Sequence, residues 1–396
     1  MAVQDAIAGP PRTSLSLNDP KVRGMIFQAL IIGLVAWVFY SIIHNTGANL
    51  QRQGLPFGFG VLSEPAGFSI NQTLIEYDEK SSYGRVYWVG LLNTLLLAFV
   101  GIVFATLVGF LVGVARLSNN WVIAKVSYVY VEAIRNIPLL LQIFIWYFGV
   151  LRLLPGKRDS ADLGMFGFLN VAGLYLPKPI YGETAWLIVA AFGIGLIATF
   201  IVAKWAKRRQ LATGQQFPMF WTAVGLLVGL PIVAYLLAGL PITFEYPTKG
   251  NFGPRGGLRV FPEFMALLFA LVMYTAAFIA EIVRAGILAV SHGQTEAANA
   301  LGLRNGPTLR LVVVPQAMRV IIPPLTSQYL NITKNSSLAV AIAYPDLVSV
   351  FTGTALNQTG RAVEFVLITM LTYLTISLAT SLFMNWYNNR MALVER

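Results

Sequence analysis

Cysteine is absent from the 396 residues, and histidine occurs only at His44 and His292. Without cysteine there is no disulfide framework, no thiolate metal site and no cysteine nucleophile. Two histidines cannot build a histidine-rich metal centre, so no metal site is expected. Charge is also scarce. Only 11% of residues are Asp, Glu, Lys or Arg, where a soluble domain carries about 25%. Hydrophobic residues make up 56%, and the mean hydropathy is +0.67. Such a chain cannot keep a soluble surface wet, so its length translates into membrane spans. A Gly-x-x-x-x-Gly-Lys-Ser/Thr phosphate loop is missing too, so no nucleotide site of that kind exists in the chain.

What is present is a series of apolar runs of about the 20 residues that a bilayer core demands. They are Met25–Ile43, Val86–Ala115, Val126–Leu154, Thr184–Ala203, Phe217–Leu240, Phe264–Ala285, Thr326–Phe351 and Phe365–Tyr387. The expected fold is an all-α integral membrane protein, a polytopic bundle of about eight transmembrane helices.

The net charge of +11 does not point to nucleic acid, because the basic residues sit at the ends of apolar runs. There they orient a membrane protein with its positive loops inside. Arg12, Lys21 and Arg23 precede the first span and place the N-terminus inside. Alternation then puts Arg116 and Lys125 inside, then Lys204, Lys207, Arg208 and Arg209, then Arg304, Arg310 and Arg319, and last Arg390 and Arg396. Both termini are therefore expected in the cytoplasm. Residues 1–24 lack the order of a cleaved signal peptide and read as a cytoplasmic tail. The outer loops are rich in glycine, proline and aromatics and read as ordered turns at the interface, too small for a catalytic domain.

One inner connection is unlike the rest: GQTEAANALGLRNGPTLRLVVVPQ, Gly293 to Gln316. Ser291 and Gln294 have the spacing of a capping box. Glu296, Ala297 and Ala298 open an alanine-rich helix that Gly302 can end in a left-handed cap. Gly306-Pro307 restarts a helix, and Pro323-Pro324 is expected to end it before the next span. The stretch reads as a short helix, a turn and a second helix. It is either an ordinary hairpin or a surface for another protein.

The spacing favours the second reading. Glu296-Ala297-Ala298, Gly302, then Val312, Val314 and Pro315 resembles the EAA loop of ABC importer permeases. Valine replaces the family's usual Ile and Leu at 312 and 314. TAAFIAEIVRAGI before the loop, LNITKNSSL after it, and VEAIRNIPLLLQIFIWYFG and GLLNTLLLAFVGIVFATLVGFLVG earlier resemble the polar amino-acid branch of that family. The resemblance covers roughly 86–154 and 262–388; in its long N-terminal region and its insertion, which the compact pattern lacks, the chain is similar to permeases of the general L-amino-acid and glutamate/aspartate type. It implies a type I importer permease core, divided as a tail over 1–24, a first span and periplasmic loop over 25–85, core over 86–154, an insertion with two extra spans over 155–260, core over 261–388 with the coupling loop at 291–316, and a tail over 389–396.

It further implies a non-catalytic subunit of a bacterial inner-membrane importer. ATP–Mg would be bound by separate ABC ATPase subunits, with a second, related permease chain and a periplasmic amino-acid-binding protein completing the machine in membrane lipid. No cofactor is expected in this chain. Gly293, Gln294, Glu296, Ala297, Ala298, Gly302, Arg304 and Pro315 would then meet the ATPase.

Ionisable residues at membrane depth are costly and mark candidate sites. Glu132/Arg135 and Glu281/Arg284 are spaced i,i+3, so each pair can bridge on one helix face and lock a helix end. The seventh run is unusually polar. Lys334 precedes Asn335, Ser336 and Ser337, and Pro345-Asp346 breaks the helix. Interrupted helices free backbone groups for substrates. Asp346 could meet an ammonium, and Asn335, Ser336 and Ser337 a carboxylate. Asp346 could equally cap a helix at the outer interface. Gln142, one turn after the Pro138 kink, lines a path or packs in the core. Phe144, Trp146, Tyr147 and Phe148 are expected to face lipid or the membrane interface rather than form a ligand cage. The competing function is an ion-coupled secondary transporter or channel with Asp346 or Glu132 as relay. A membrane enzyme would want more converging acids and histidines than the chain offers.

Overall fold

The computed structural model describes residues 20–52 and 58–391. Most of the expected N-terminal tail, and residues 392–396, lie outside them. The first helix already begins at Pro20, inside that tail.

In chain order the helices are α1 Pro20–Arg52, α2 Tyr83–Ala115, α3 Trp121–Asn136, α4 Leu139–Phe144, α5 Trp186–Thr213, α6 Met219–Val224, α7 Leu230–Leu237, α8 Pro262–Leu288, α9 His292–Ala300, α10 Asn305–Thr308, α11 Val314–Asn335, α12 Leu356–Thr359 and α13 Ala362–Met391. Among the described residues seven helical stretches are long and apolar enough to cross a membrane, or eight with a bent pair counted as one. The eight runs read from the sequence are thereby accounted for.

The core is α2 against α8. Glycine on α2 lets the backbones approach: a Cβ on Gly109 would lie 2.6 Å from the Ile279 side chain, and one on Gly113 2.8 Å from the Ala280 carbonyl oxygen. Small residues at such contacts are how helices gain packing where lipid supplies no hydrophobic drive. Ala276, Ala277, Ala280 and Val283 of α8 are buried there.

The third span is not one helix. α3 and the stretch Leu139–Leu153 meet at 106°. The cause is local. Pro138 disfavours a helical residue before it, and Ile137 is extended at φ −97° and ψ 126°. Gln142, buried, donates its amide to the carbonyls of Ile134 and Ile137, both at 2.9 Å. It takes up acceptors that the kink leaves over, so its place is the bend.

Both ends of the 155–260 segment fold as strands rather than simple turns. β1 Ala161–Asp162, β2 Phe168–Asn170, β3 Gly173–Leu176 and β8 Leu258–Val260 form one sheet in that order. β4 Lys178–Tyr181 pairs β5 Ile242–Glu245, and β6 Thr248–Gly250 pairs β7 Gly253–Arg255. Between them α5 packs on α6 and α7 as a hairpin with few buried residues. None of the described residues of α1 is buried either.

Candidate functional site: the elbow and the broken seventh span

The elbow joins α8 to the seventh span. Ser291 is the first cap of α9, and Gly302 turns the chain at φ +77°, a region that glycine enters without cost. The expected capping box does not form. Ser291 makes no side-chain cap bond. The Gln294 side chain instead accepts from Gln316 across the elbow at 3.1 Å, which ties the two limbs together. Gly293, Gln294, Glu296, Ala297, Gly302, Arg304 and Pro315 are exposed, whereas Ala298 is buried and anchors the helix. Glu296 meets His292 one turn back, at 3.0 Å. Leu301, 82% exposed, stands at the tip.

Beyond the tip the helix does not end at Pro323-Pro324. α11 runs through both prolines. Ile321, Ile322 and Leu325 are buried and hold the rod against the bundle, and helices in a membrane tolerate proline when neighbours pin them. The longest α-helical part of this rod, Val314–Asn335, has 22 residues, a length of about 33 Å at the rise of an α-helix.

The two expected ion pairs fare differently. Glu281 bonds Arg284 at 2.7 Å and also the Arg116 guanidinium, which comes from the end of α2. Three helix-end residues are thus locked beside the elbow. The Glu132/Arg135 pair does not form. The Arg135 guanidinium lies 5.1 Å over the Phe278 ring, and its Nε has no hydrogen-bond partner among the described residues. The α3–α8 contact draws Arg135 onto that ring and away from its own helix face.

The rod fails beyond Asn335. Ser336–Ile342 is a tighter 3₁₀ stretch, and Ala343 turns left-handed at φ +56°. Val348–Ala355 then resumes as a wide helical turn. Ser336 and Ser337 give their hydroxyls to the carbonyls of Thr333 and Lys334, both at 2.7 Å. Lys334 is exposed and Asn335 half-buried. Asp346 is fully buried. It accepts the Ser349 N–H at 2.9 Å and faces the Tyr373 hydroxyl at 3.4 Å. Its carboxylate therefore caps the resumed helix.

The loop before α2 closes over the break. The Asn93 amide donates to the carbonyls of Gln72 and Pro345, and Gln72 donates to the Tyr344 hydroxyl. A cavity of about 420 Å³ lies between loop and break, lined by Ser69, Asn71, Glu79, Ala343, Pro345 and Ser349 among others. Its acid is Glu79. Asp346 lies behind the wall. Asn93, Glu79 and Arg116 were not singled out as site residues in the sequence: Asn93 and Arg116 have partners far away along the chain, and Glu79 meets the break only across the cavity that it lines. Of the four aromatics expected toward lipid, only Phe148 is exposed; Phe144, Trp146 and Tyr147 are half-buried against the core, with the Tyr147 hydroxyl on Glu263 at 2.9 Å.

An exposed elbow thus leads along a rod to a break, within a bundle of apolar helices. The family model described as "Binding-protein-dependent transport system inner membrane component" matches residues 203–393. The chain is 53% identical over 381 residues to the general L-amino acid transport system permease protein AapQ of Rhizobium johnstonii, covering 96% of this chain and 95% of that one. It is 51% identical to the putative amino-acid ABC transporter permease protein YhdX of Escherichia coli, over 97% and 98% of the two chains. To the glutamate/glutamine/aspartate/asparagine transport system permease protein BztB of Rhodobacter capsulatus it is 41% identical, over 97% of each. The chain belongs to the inner-membrane permease components of binding-protein-dependent ABC transporters. It is the membrane subunit of such a transporter.

Proposed function

We propose that this permease carries polar L-amino acids inward and that its elbow is the surface on which separate ATPase subunits act. The carrying observation is the rod: one helical run leads from the exposed elbow to the broken segment beneath the outer loop. A push on α9 is delivered, through packed helix, to the break, where Asn93 holds the Pro345 carbonyl and Thr94 accepts the Leu347 N–H. ATP–Mg binds to the partner ATPase and not to this chain. Gly293, Gln294, Glu296, Ala297, Gly302, Arg304 and Pro315 offer the contact, with Ala298 seating the helix. Leu301 joins them as the apolar tip.

The elbow, both termini and the Lys204–Arg209 cluster lie in the cytoplasm on this reading. The outer loop faces a periplasmic binding protein. A second, related permease completes the pathway, because the insertion makes this chain unlike its compact kin. Lys334, Asn335, Ser336 and Ser337 border the path. Glu79 is the acid that meets the ammonium, and Asp346 holds the break in shape behind it. The names of the relatives support amino acids as the cargo.

The test is uptake of labelled amino acids by proteoliposomes holding the full transporter, with ATP inside, for wild type and Glu296→Lys. The expected result is ATP-dependent uptake, lost in the variant while the complex still assembles. Uptake that ignores ATP and follows a proton or sodium gradient would overturn the reading in favour of an ion-coupled carrier.

A further inference from the structure

Near the elbow, α2, α3 and α8 border an open groove of about 500 Å³ lined by Arg116, Trp121, Ala124, Lys125, Tyr128 and Arg284. Three cations line it. The acid within their reach is Glu281, already shared by Arg116 and Arg284. The cluster thus keeps an excess of two positive charges beside an apolar phase. Lys125 is exposed, makes no salt bridge to a described residue and lies 5.3 Å over the Tyr128 ring, with the Arg116 guanidinium 5.4 Å from the same ring.

The same helix presents an apolar face outward. Trp121 is 74% exposed, Val122 58% and Val126 64%. Asn120 caps the helix by accepting the N–H groups of Val122 and Ile123. The positive end of the α3 dipole therefore points to the same corner. A ligand that fits must be anionic where it meets Lys125, Arg116 and Arg284, and oily where it runs along Trp121, Val122 and Val126. A soluble anion would use only half of this surface.

We propose that this corner is a binding site for an anionic phospholipid of the elbow-side leaflet. Its phosphate sits among Lys125, Arg116 and Arg284, and its chains lie on the exposed face of α3. The lipid thereby braces the Arg116–Glu281–Arg284 junction from which the elbow departs. Basic residues at a membrane surface attract anionic headgroups in general; the groove gives this one a fixed address.

The experiment is native mass spectrometry of the full chain in detergent, with phosphatidylglycerol or phosphatidylcholine added at equal concentration. Wild type should retain phosphatidylglycerol at least several-fold over phosphatidylcholine. Lys125→Glu should bring the two to parity, and Lys125→Arg should keep the preference. Lys125 is exposed and without an acid partner, so the variants should fold; circular dichroism checks this, and the charge-keeping variant provides the comparison. Lys204→Glu, in the other basic cluster, should change nothing. Equal retention of the two lipids by wild type, or a preference that survives Lys125→Glu, would overturn the proposal. If glycerol phosphate displaces the lipid at comparable concentration, the site takes a soluble anion and the lipid assignment is wrong.

Discussion

The side chain of Asn93, in the middle of the wall formed by α2, donates to the backbone carbonyl of Pro345 at 2.8 Å. One buried amide thus closes the gap that the broken seventh span leaves. The same nitrogen reaches the Gln72 carbonyl in the outer loop at 2.9 Å. Asn93→Leu should leave both carbonyls without a donor, at about 1–3 kcal/mol each. Asn93→Asp should be worse, because a carboxylate would face two carbonyl oxygens and lie near Asp346. Thermal unfolding in detergent should rank wild type above Leu and Leu above Asp. Equal stability of the three would show that the amide does not hold the break.

Gln142 has the matching duty at the Pro138 bend. Gln142→Leu keeps the volume and removes both donors, so a loss of about 1–3 kcal/mol is expected. Gln142→Glu should show a comparable loss near neutral pH and regain stability as the pH is lowered, because the protonated acid can donate again. A pH-independent deficit would refute this account.

The α2–α8 contact relies on missing side chains. Gly113→Leu should force the helices apart, since the added Cβ alone would lie 2.8 Å from the Ala280 carbonyl oxygen. Overpacking of this kind costs about 1–3 kcal/mol. Gly193→Leu, in the insertion, has open space around it and should be neutral. The pair of melting curves decides the matter.

At the elbow, Gly302→Val puts a branched residue at φ +77°. The local cost is about 1–2 kcal/mol, at a place where nothing else packs. If the elbow couples to an ATPase, ATP-driven uptake should drop sharply while the melting of the membrane bundle stays unchanged. Undiminished uptake would show that the turn geometry is irrelevant to transport.

The outer loop carries a pH dependence of its own. Asp78 accepts the Ser81 hydroxyl at 2.6 Å, and this bond holds its carboxyl below the usual range. A lowered value means that the contribution to loop order is present above the ordinary carboxylate pKa of about 3.9 and is lost as pH falls through the lowered value. The amides of Ala66 and Gly67, bonded to the carbonyls of Ser81 and Glu79, should lose protection from hydrogen exchange in that window. Asp78→Asn should remove the dependence. The neighbouring Tyr77 hydroxyl, pushed up to about 12 mainly by burial, stays neutral throughout.

The spans were legible because a bilayer imposes one demand on every helix, and a run of apolar residues meets it visibly. The elbow was legible because its signals are local: a cap serine, a run of alanine, a glycine that must turn left-handed. Glu281 and Arg284 could be paired from spacing alone. Arg116 and Asn93 could not, since each acts on a residue well over a hundred positions away, and neither could Glu79, which lines a cavity whose other wall includes Ala343, Pro345 and Ser349. Spacing also misled. Glu132 and Arg135 share a helix face, yet the Phe278 ring of another helix captured the arginine. Pro323-Pro324 looked like a stop, because the rule for soluble helices ignores what neighbouring helices can hold in place.

Within the 155–260 segment, β3 and β8 face each other residue for residue from Leu174↔Val260 to Leu176↔Leu258. Partners in an antiparallel pair sit about 5 Å apart. The stretch between the two strands therefore starts and finishes at one point, with two helical stretches long and apolar enough to cross a membrane, Trp186–Thr213 and Met219–Leu237, in between. Its two ends already meet, so the chain on either side needs no new path to join. A short glycine bridge from Leu176 to Leu258 could splice this stretch out without stretching the chain or reversing any later helix. Its exposed hairpin is then free to diversify independently of the transport machinery that it adjoins.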